Sequence, residues 1–103
     1  PDHPGYTLAK KQMTGAGAIV SFTLKDADAF KTRGVMEKLQ LFLPGFSLGE
    51  INSLCSHCAS MSHSGVPKPI REEAGIGDNL LRLSVGIEDL QDLLEDLDEA
   101  LKL

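Results

Sequence analysis

The chain has 103 residues, of which 42% are hydrophobic and 24% are charged, and its formal net charge is -5. This length suits one small domain with a modest core, and the hydrophobic content argues against a disordered chain. The acidic balance disfavours nucleic-acid binding, which needs clustered Lys and Arg, and no apolar run approaches the roughly 20 residues of a membrane helix.

The first third of the chain predicts a helix, a strand and a second helix. Residues 8–13 are compatible with a short helix. Residues 18–24 are rich in β-branched and aromatic side chains, which is typical of a strand. Asp26 or Asp28 can cap the next helix, which we expect to run to about Leu39.

The middle of the chain shows weaker patterns. Residues 41–43 predict a short strand that ends before a Pro-Gly pair. Residues 46–66 are dense in Ser, Gly, Cys and His without a sustained period. We interpret them as a loop with short strand pieces, and long irregular segments of this kind are often functional. Residues 67–74 predict a short helix with early prolines, which a glycine ends.

The next pattern is a clear strand. Residues 79–85 alternate, so that Leu81 and Leu83 share one face while Arg82 and Ser84 share the other. An amphipathic helix of regular spacing follows. Its expected apolar face comprises Ile87, Leu90, Leu94, Leu97 and Leu101.

The opposite face of this terminal helix is acidic. Glu88 and Asp89 are expected in its first turn, where the helix dipole favours anions. The order of the elements predicts a single two-layer α+β domain over residues 1–103. Its helices would pack on one face of a small, mainly antiparallel sheet.

Arg82 and Ser47 each allow a structural and a functional interpretation. An arginine in mid-strand most often faces solvent on a one-sided sheet. Alternatively, its planar guanidinium binds a carboxylate through two parallel hydrogen bonds, and a strand would hold it rigidly. Ser47 follows a Pro-Gly turn, where a hydroxyl often bonds its own backbone.

A second cluster is Cys55, His57, Cys58 and His63, which could supply four tetrahedral zinc ligands. The spacing is unusual because His57 lies inside the cysteine pair, so we favour packed loop residues and no metal. Two cysteines are too few for a disulfide framework, and no signal peptide is evident. We therefore expect a reducing, cytoplasmic setting.

Several motifs in order resemble the pyridoxal-phosphate (PLP) enzymes of cysteine and methionine metabolism, such as cystathionine γ-lyase, cystathionine γ-synthase and methionine γ-lyase. Residues 81–89, LRLSVGIED, resemble a hallmark of that family. Residues 47–54 resemble its S-L-G-x-x-x-S-L motif, and residues 57–63 resemble its H-P-A-S-M-T-H motif, with Cys58 in place of the proline. Matching positions within residues 8–22 extend the resemblance over nearly the whole chain.

The resemblance implies the α+β C-terminal small domain of a larger, homotetrameric PLP enzyme of trans-sulfuration, a carbon–sulfur lyase or transferase acting on cystathionine or methionine. It implies that the large PLP-binding domain, with the Schiff-base lysine, is absent from this chain, which alone would be inactive. Arg82, Ser47 and Leu48 match residues that bind the substrate α-carboxylate. Phe46 matches a position of substrate selection, and it leans towards a methionine γ-lyase-like or β-lyase-like pocket.

Two alternatives remain open from the sequence. One is a small non-catalytic binding module that uses the acidic terminal helix as its partner surface. The other is a zinc-binding domain built on Cys55, His57, Cys58 and His63.

Overall fold

The structure, a computed structural model, describes residues 1–102, which contain four helices and four strands. The helices are α1 (Tyr6–Gln12), α2 (Ala29–Lys38), α3 (Lys68–Glu73) and α4 (Leu90–Leu101). The strands are β1 (Ile19–Thr23), β2 (Leu43–Pro44), β3 (Leu54–His57) and β4 (Leu80–Ser84). Within residues 1–102, every helix falls short of the length and apolar character needed to cross a bilayer.

The strand β4 lies inside the sheet, whose strand order is β1-β4-β3-β2. It pairs antiparallel with both β1 and β3, whereas the short β2 pairs in parallel with β3. The sheet is therefore mixed but mainly antiparallel. The predicted α+β class is confirmed.

The core lies on one face of the sheet because side chains alternate along each strand. In β4, Leu81 and Leu83 are buried in a cluster with residues of α2 and α4. Arg82 and Ser84 alternate with them and so point to the opposite face of the sheet. One strand therefore supplies both the core and a second, more open surface.

Strand β1 and helix α2 lie close to their predicted bounds. The cap of α2 is Asp28, whose carboxylate accepts a hydrogen bond from the backbone N–H of Lys31 at 2.8 Å. Asp26 instead has a φ of 53°, in the left-handed region, and belongs to the turn before the helix. Between the two predicted caps, the structure therefore selects the second.

The middle of the chain differs from the prediction. The buried strand β3 lies inside the segment that we predicted to be mainly loop. Its Ser56 and His57 are buried polar residues, so β3 shows neither the apolar run nor the alternation that identifies strands. The strand predicted at 41–43 is wrong in position: Phe42 packs into the core, and β2 begins at Leu43.

The buried side of α4 also differs from the predicted one. It comprises Leu93, Leu97 and Ala100. The exposed members of the predicted face are Ile87, Leu90, Leu94 and Leu101. Two sets of residues on this segment have helical spacing, and the prediction chose the set that includes Ile87, which precedes the helix. The carboxylate of Asp89 caps α4 by accepting two backbone N–H groups of the first turn at 2.8 and 3.3 Å.

Asp96 joins α4 to the segment that follows α2. Its carboxylate accepts hydrogen bonds from the backbone N–H groups of Gln40, Leu41 and Phe42 at 2.8, 2.9 and 3.3 Å. These three N–H groups follow α2, so one side chain joins α4 to the end of the other core helix. Asp96 is itself partly buried, and Leu93, one helical turn before it, is buried in the core.

We expect the substitution Asp96→Asn to lower the free energy of unfolding by about 2 kcal/mol, because hydrogen bonds to a charged acceptor are strong and an amide NH2 would face backbone donors. Asp98→Asn is the matched control, since Asp98 makes only an exposed ion pair with Lys102 and should lose less than about 0.5 kcal/mol. Urea denaturation followed by circular dichroism measures both. Equal losses in the two variants would contradict the assigned role of Asp96.

Candidate functional site

The face of the sheet opposite the core carries Arg82 between two serines. Ser21 of β1 and Ser56 of β3 are its register partners on the neighbouring strands. Both partners have small side chains, so the guanidinium has room to lie over the sheet. Arg82 is partly buried there, on the face that the core helices do not cover.

The guanidinium of Arg82 is held by backbone carbonyls of a neighbouring loop. Its Nη2 donates to the carbonyl oxygens of Phe46 at 2.7 Å and of Ser47 at 3.2 Å. Its Nε–H is buried and has no hydrogen-bond partner among residues 1–102. A buried donor without a partner is unusual in a folded protein, so this N–H requires an explanation.

The positive charge of Arg82 is also without a local counter-charge. Within the described part of the chain, no carboxylate forms an ion pair with it. By contrast, the buried Arg71 pairs with Asp78 at 2.8 Å and donates to the carbonyl of Ile76. Arg71 is thus a satisfied structural residue, whereas Arg82 has an unpartnered donor and no ion pair within residues 1–102.

The loop beside Arg82 contains the other residues that we selected from the sequence. Phe46, Ser47 and Leu48 are all exposed, with Phe46 64% accessible. Gly49 then bends the chain with a φ of +74°, and its N–H donates to the hydroxyl of Ser84 at 3.1 Å. The structure therefore brings Phe46 and Ser47 to Arg82, but through their backbone carbonyls and not through the Ser47 hydroxyl, and Leu48 follows them in the loop.

Sequence reasoning missed a second connection between this loop and β4. The carboxylate of Glu88 accepts from both the backbone N–H and the hydroxyl of Ser53, each at 2.8 Å. These hydrogen bonds, the backbone one first, hold the pKa of Glu88 below its usual value. We had predicted Glu88 in the first turn of α4, yet it precedes the helix. Ser53 and Glu88 each belong to a motif noted in the sequence, at residues 47–54 and 81–89, and this was the only indication that they could interact.

The structure does not support the zinc hypothesis at His57. Its ring is fully buried, with Nε2 2.8 Å from the carbonyl oxygen of Asp78 and Nδ1 2.7 Å from the hydroxyl of Ser60. Because a carbonyl only accepts, Nε2 carries a proton and donates it to Asp78. Nε2 therefore joins the end of β3 to the segment before β4, and Nδ1 contacts the turn that follows β3.

The remaining residues of the proposed zinc cluster do not converge either. Cys55 and Cys58 are buried free thiols, and Nδ1 of His63 lies 2.8 Å from the hydroxyl of Ser62. Burial, with a smaller contribution from Cys58, raises the pKa of the Cys55 thiol to about 12, which disfavours a metal-binding thiolate. Across residues 1–102, no three His, Cys, Asp or Glu side chains are grouped to hold a metal.

Comparison with known proteins gives consistent matches along the chain. The family described as Cys/Met metabolism PLP-dependent enzyme matches residues 1–102. A cystathionine beta-lyase of Lactococcus lactis subsp. cremoris is 50% identical over 101 residues, covering 98% of this chain and 26% of that protein. A cystathionine gamma-lyase of Sus scrofa is 48% identical over 102 residues, covering 99% of this chain and 25% of that protein.

A solved structure shows the same fold. The crystal structure of a cystathionine gamma-lyase (CalE6) from Micromonospora echinospora superposes with a TM-score of 0.88 at 44% identity, covering 98% of this chain and 26% of that one. The chain thus spans about a quarter of the length of the relatives that it matches. Since the family match extends over residues 1–102, this chain belongs to the Cys/Met-metabolism family of PLP-dependent enzymes.

Proposed function

We propose that this chain is the C-terminal small domain of a full-length PLP-dependent carbon–sulfur lyase or transferase, and that it supplies the site for the substrate α-carboxylate. The observation that carries the proposal is the state of Arg82, which has a buried, unpartnered Nε–H and no ion pair within residues 1–102. The relatives support the reaction class, since their names are those of cystathionine lyases.

A carboxylate would complete the hydrogen bonding of Arg82. The planar guanidinium offers parallel N–H donors, which match the two oxygens of a carboxylate. Its Nη2 is already held by the carbonyls of Phe46 and Ser47, which orients the group on the rigid strand. Binding the α-carboxylate there would fix the orientation of an amino-acid substrate, and orientation is a large part of catalysis.

The exposed residues of the neighbouring loop would complete this site. The Ser47 hydroxyl and the backbone of Leu48 lie beside the Arg82 contacts and would donate to the same carboxylate. Phe46 presents an exposed aromatic ring at the edge. An apolar ring favours an uncharged thioether side chain over a second charged group. Phe46 would therefore bias the enzyme towards a methionine-like substrate or a β-elimination pocket.

The cofactor of the family does not fit the residues of this chain by themselves. Every lysine of the chain is exposed, and none hydrogen-bonds to Arg82, Phe46 or Ser47. No lysine is thus placed beside the carboxylate site to bind PLP covalently. We place the cofactor and its lysine in the part of the full-length protein outside this chain, and expect the isolated chain to be inactive.

We also propose that the full-length enzyme works as a cytoplasmic homotetramer that binds neither nucleic acid nor membrane. The two free, buried thiols suit a reducing compartment. Multi-angle light scattering of the purified full-length protein tests the tetramer, and a stable monomer would contradict it.

In the full-length enzyme, we expect Arg82→Lys to lower kcat/KM about 10- to 100-fold, mainly through KM, because lysine keeps the charge but loses the paired donors. The matched control is Arg33→Lys on α2, where the arginine makes only an exposed ion pair with Glu37. Steady-state kinetics should place the control within about twofold of the wild type. An unchanged KM in Arg82→Lys would refute the carboxylate site.

The isolated 103-residue chain should not bind PLP at a specific lysine, because its lysines are exposed and solvated. The chain is mixed with PLP, reduced with borohydride and digested, and the adducts are located by mass spectrometry. We expect weak labelling spread over several lysines. Stoichiometric labelling of one lysine would contradict the assignment of the cofactor to a separate domain.

A further inference from the structure

Residues 46–53, here called the binding loop, are hydrogen-bonded at both ends of the loop, to β4 at one end and to the turn that follows β4 at the other. At the first end, the carbonyls of Phe46 and Ser47 accept from Arg82. At the second end, Ser53 donates to Glu88, which lies just beyond β4. The loop thus spans the distance between the candidate carboxylate site and the turn that leads to α4.

In the contact between Ser53 and Glu88, the backbone N–H and the hydroxyl of Ser53 each have a defined hydrogen-bond partner. Ser53 is fully buried, and both of its donors, the backbone N–H and the hydroxyl, point at the Glu88 carboxylate at 2.8 Å. The same hydroxyl accepts from the backbone N–H of Gly86 at 2.8 Å. Its proton must therefore point to Glu88, and its lone pair to Gly86, which allows one orientation only.

The turn that carries Glu88 packs directly against the backbone of the binding loop. A Cβ atom at Gly86 would lie 2.2 Å from the carbonyl oxygen of Ile51 and 2.7 Å from the carbonyl carbon of Asn52. The N–H of Ile87 donates to that same Ile51 carbonyl at 2.9 Å. The backbone of the turn at Gly86 is therefore in direct contact with the loop backbone at Ile51 and Asn52, and no space remains between them.

We propose that Glu88, acting through Ser53, is a positioning residue for the substrate-carboxylate site. It fixes the far end of the binding loop relative to β4, and so it fixes where the Phe46 and Ser47 carbonyls hold the Arg82 guanidinium. The inference rests on the proposed function, since it concerns how the same site is kept in shape. The hydrogen bonds of Glu88 go to Ser53, and those of Arg82 go to Phe46 and Ser47, so Glu88 acts on the guanidinium only through the loop.

The chemistry of the contact explains why an ionised carboxylate is needed at this position. A carboxylate accepts through both oxygens at once, so it can receive the N–H and the O–H of Ser53 together. A glutamine would present one oxygen and one NH2 group, so that a donor would face a donor. The lowered pKa of Glu88 agrees with this arrangement, because the backbone N–H of Ser53 stabilises the charged form.

The test compares two ligands of the full-length protein that differ in one group: L-norleucine, and n-pentylamine, which is the same molecule without the α-carboxylate. Calorimetry gives both dissociation constants for the wild type and for Glu88→Gln. We expect the variant to bind norleucine about tenfold more weakly while pentylamine binding stays within about twofold. Glu73→Gln, an equal charge change at an exposed residue of α3, should alter neither.

A milder variant keeps the proposal testable if Glu88→Gln does not fold. Ser53→Ala removes the hydroxyl but leaves its backbone N–H on Glu88, so the loop should loosen without losing its attachment. We expect a carboxylate-selective weakening of about threefold. We also expect faster amide hydrogen exchange in the peptide of residues 46–53, measured by mass spectrometry, with no change in the Glu73→Gln control.

The outcomes separate this proposal from the one on which it rests. If wild-type protein shows no preference for norleucine over pentylamine, or if Arg82→Lys keeps that preference, the proposed carboxylate site is wrong. If Arg82→Lys loses the preference while Glu88→Gln and Ser53→Ala retain it, the site stands and the role of Glu88 is wrong. Equal weakening of both ligands would reduce Glu88 to a general structural residue and would also overturn the proposal.

Discussion

The alternation of side chains along β4 is the constraint on which the rest of this structure depends. Because β4 is paired on both sides, its two faces are defined by register over several residues. Leu81 and Leu83 therefore enter the core while Arg82 is held on the open face. A shift of one residue would bury the arginine among apolar side chains and expose two leucines. The burial of the two leucines and the placement of the Arg82 guanidinium thus have a common origin.

The acidic character of the chain acquires a structural meaning in this fold. Asp28 and Asp89 cap the two core helices, and Asp96 binds three backbone N–H groups after α2. Glu88 accepts a hydrogen bond from the backbone N–H of Ser53 in the binding loop. These carboxylates satisfy N–H groups that have no partner within a helix or a sheet. Part of the negative charge therefore joins elements, and is not simply a solvated surface.

Sequence patterns predicted those elements of the fold that are set by interactions between residues close in sequence. The β-branched run before Thr23 and the alternation around Arg82 act within a few residues, and the structure agrees with both; of the two candidate caps for α2, it uses Asp28. The short strand pieces predicted within residues 46–66 could not be located, because the buried His57 of β3 depends on a hydrogen-bond partner far along the chain, the Asp78 carbonyl. Such partners are not visible in a short window of sequence.

The sequence by itself indicated the family and the two clear strands, and it singled out Arg82 as the candidate residue for a carboxylate site. Only the tertiary structure decided which side of α4 is buried, how Asp96 joins that helix to the segment after α2, and how the Phe46 carbonyl holds the guanidinium. The physical reason is the same in each case. Periodicity reports on neighbours within a few residues, whereas these hydrogen bonds join groups more than thirty positions apart, whose approach is fixed only when the sheet and helices pack together.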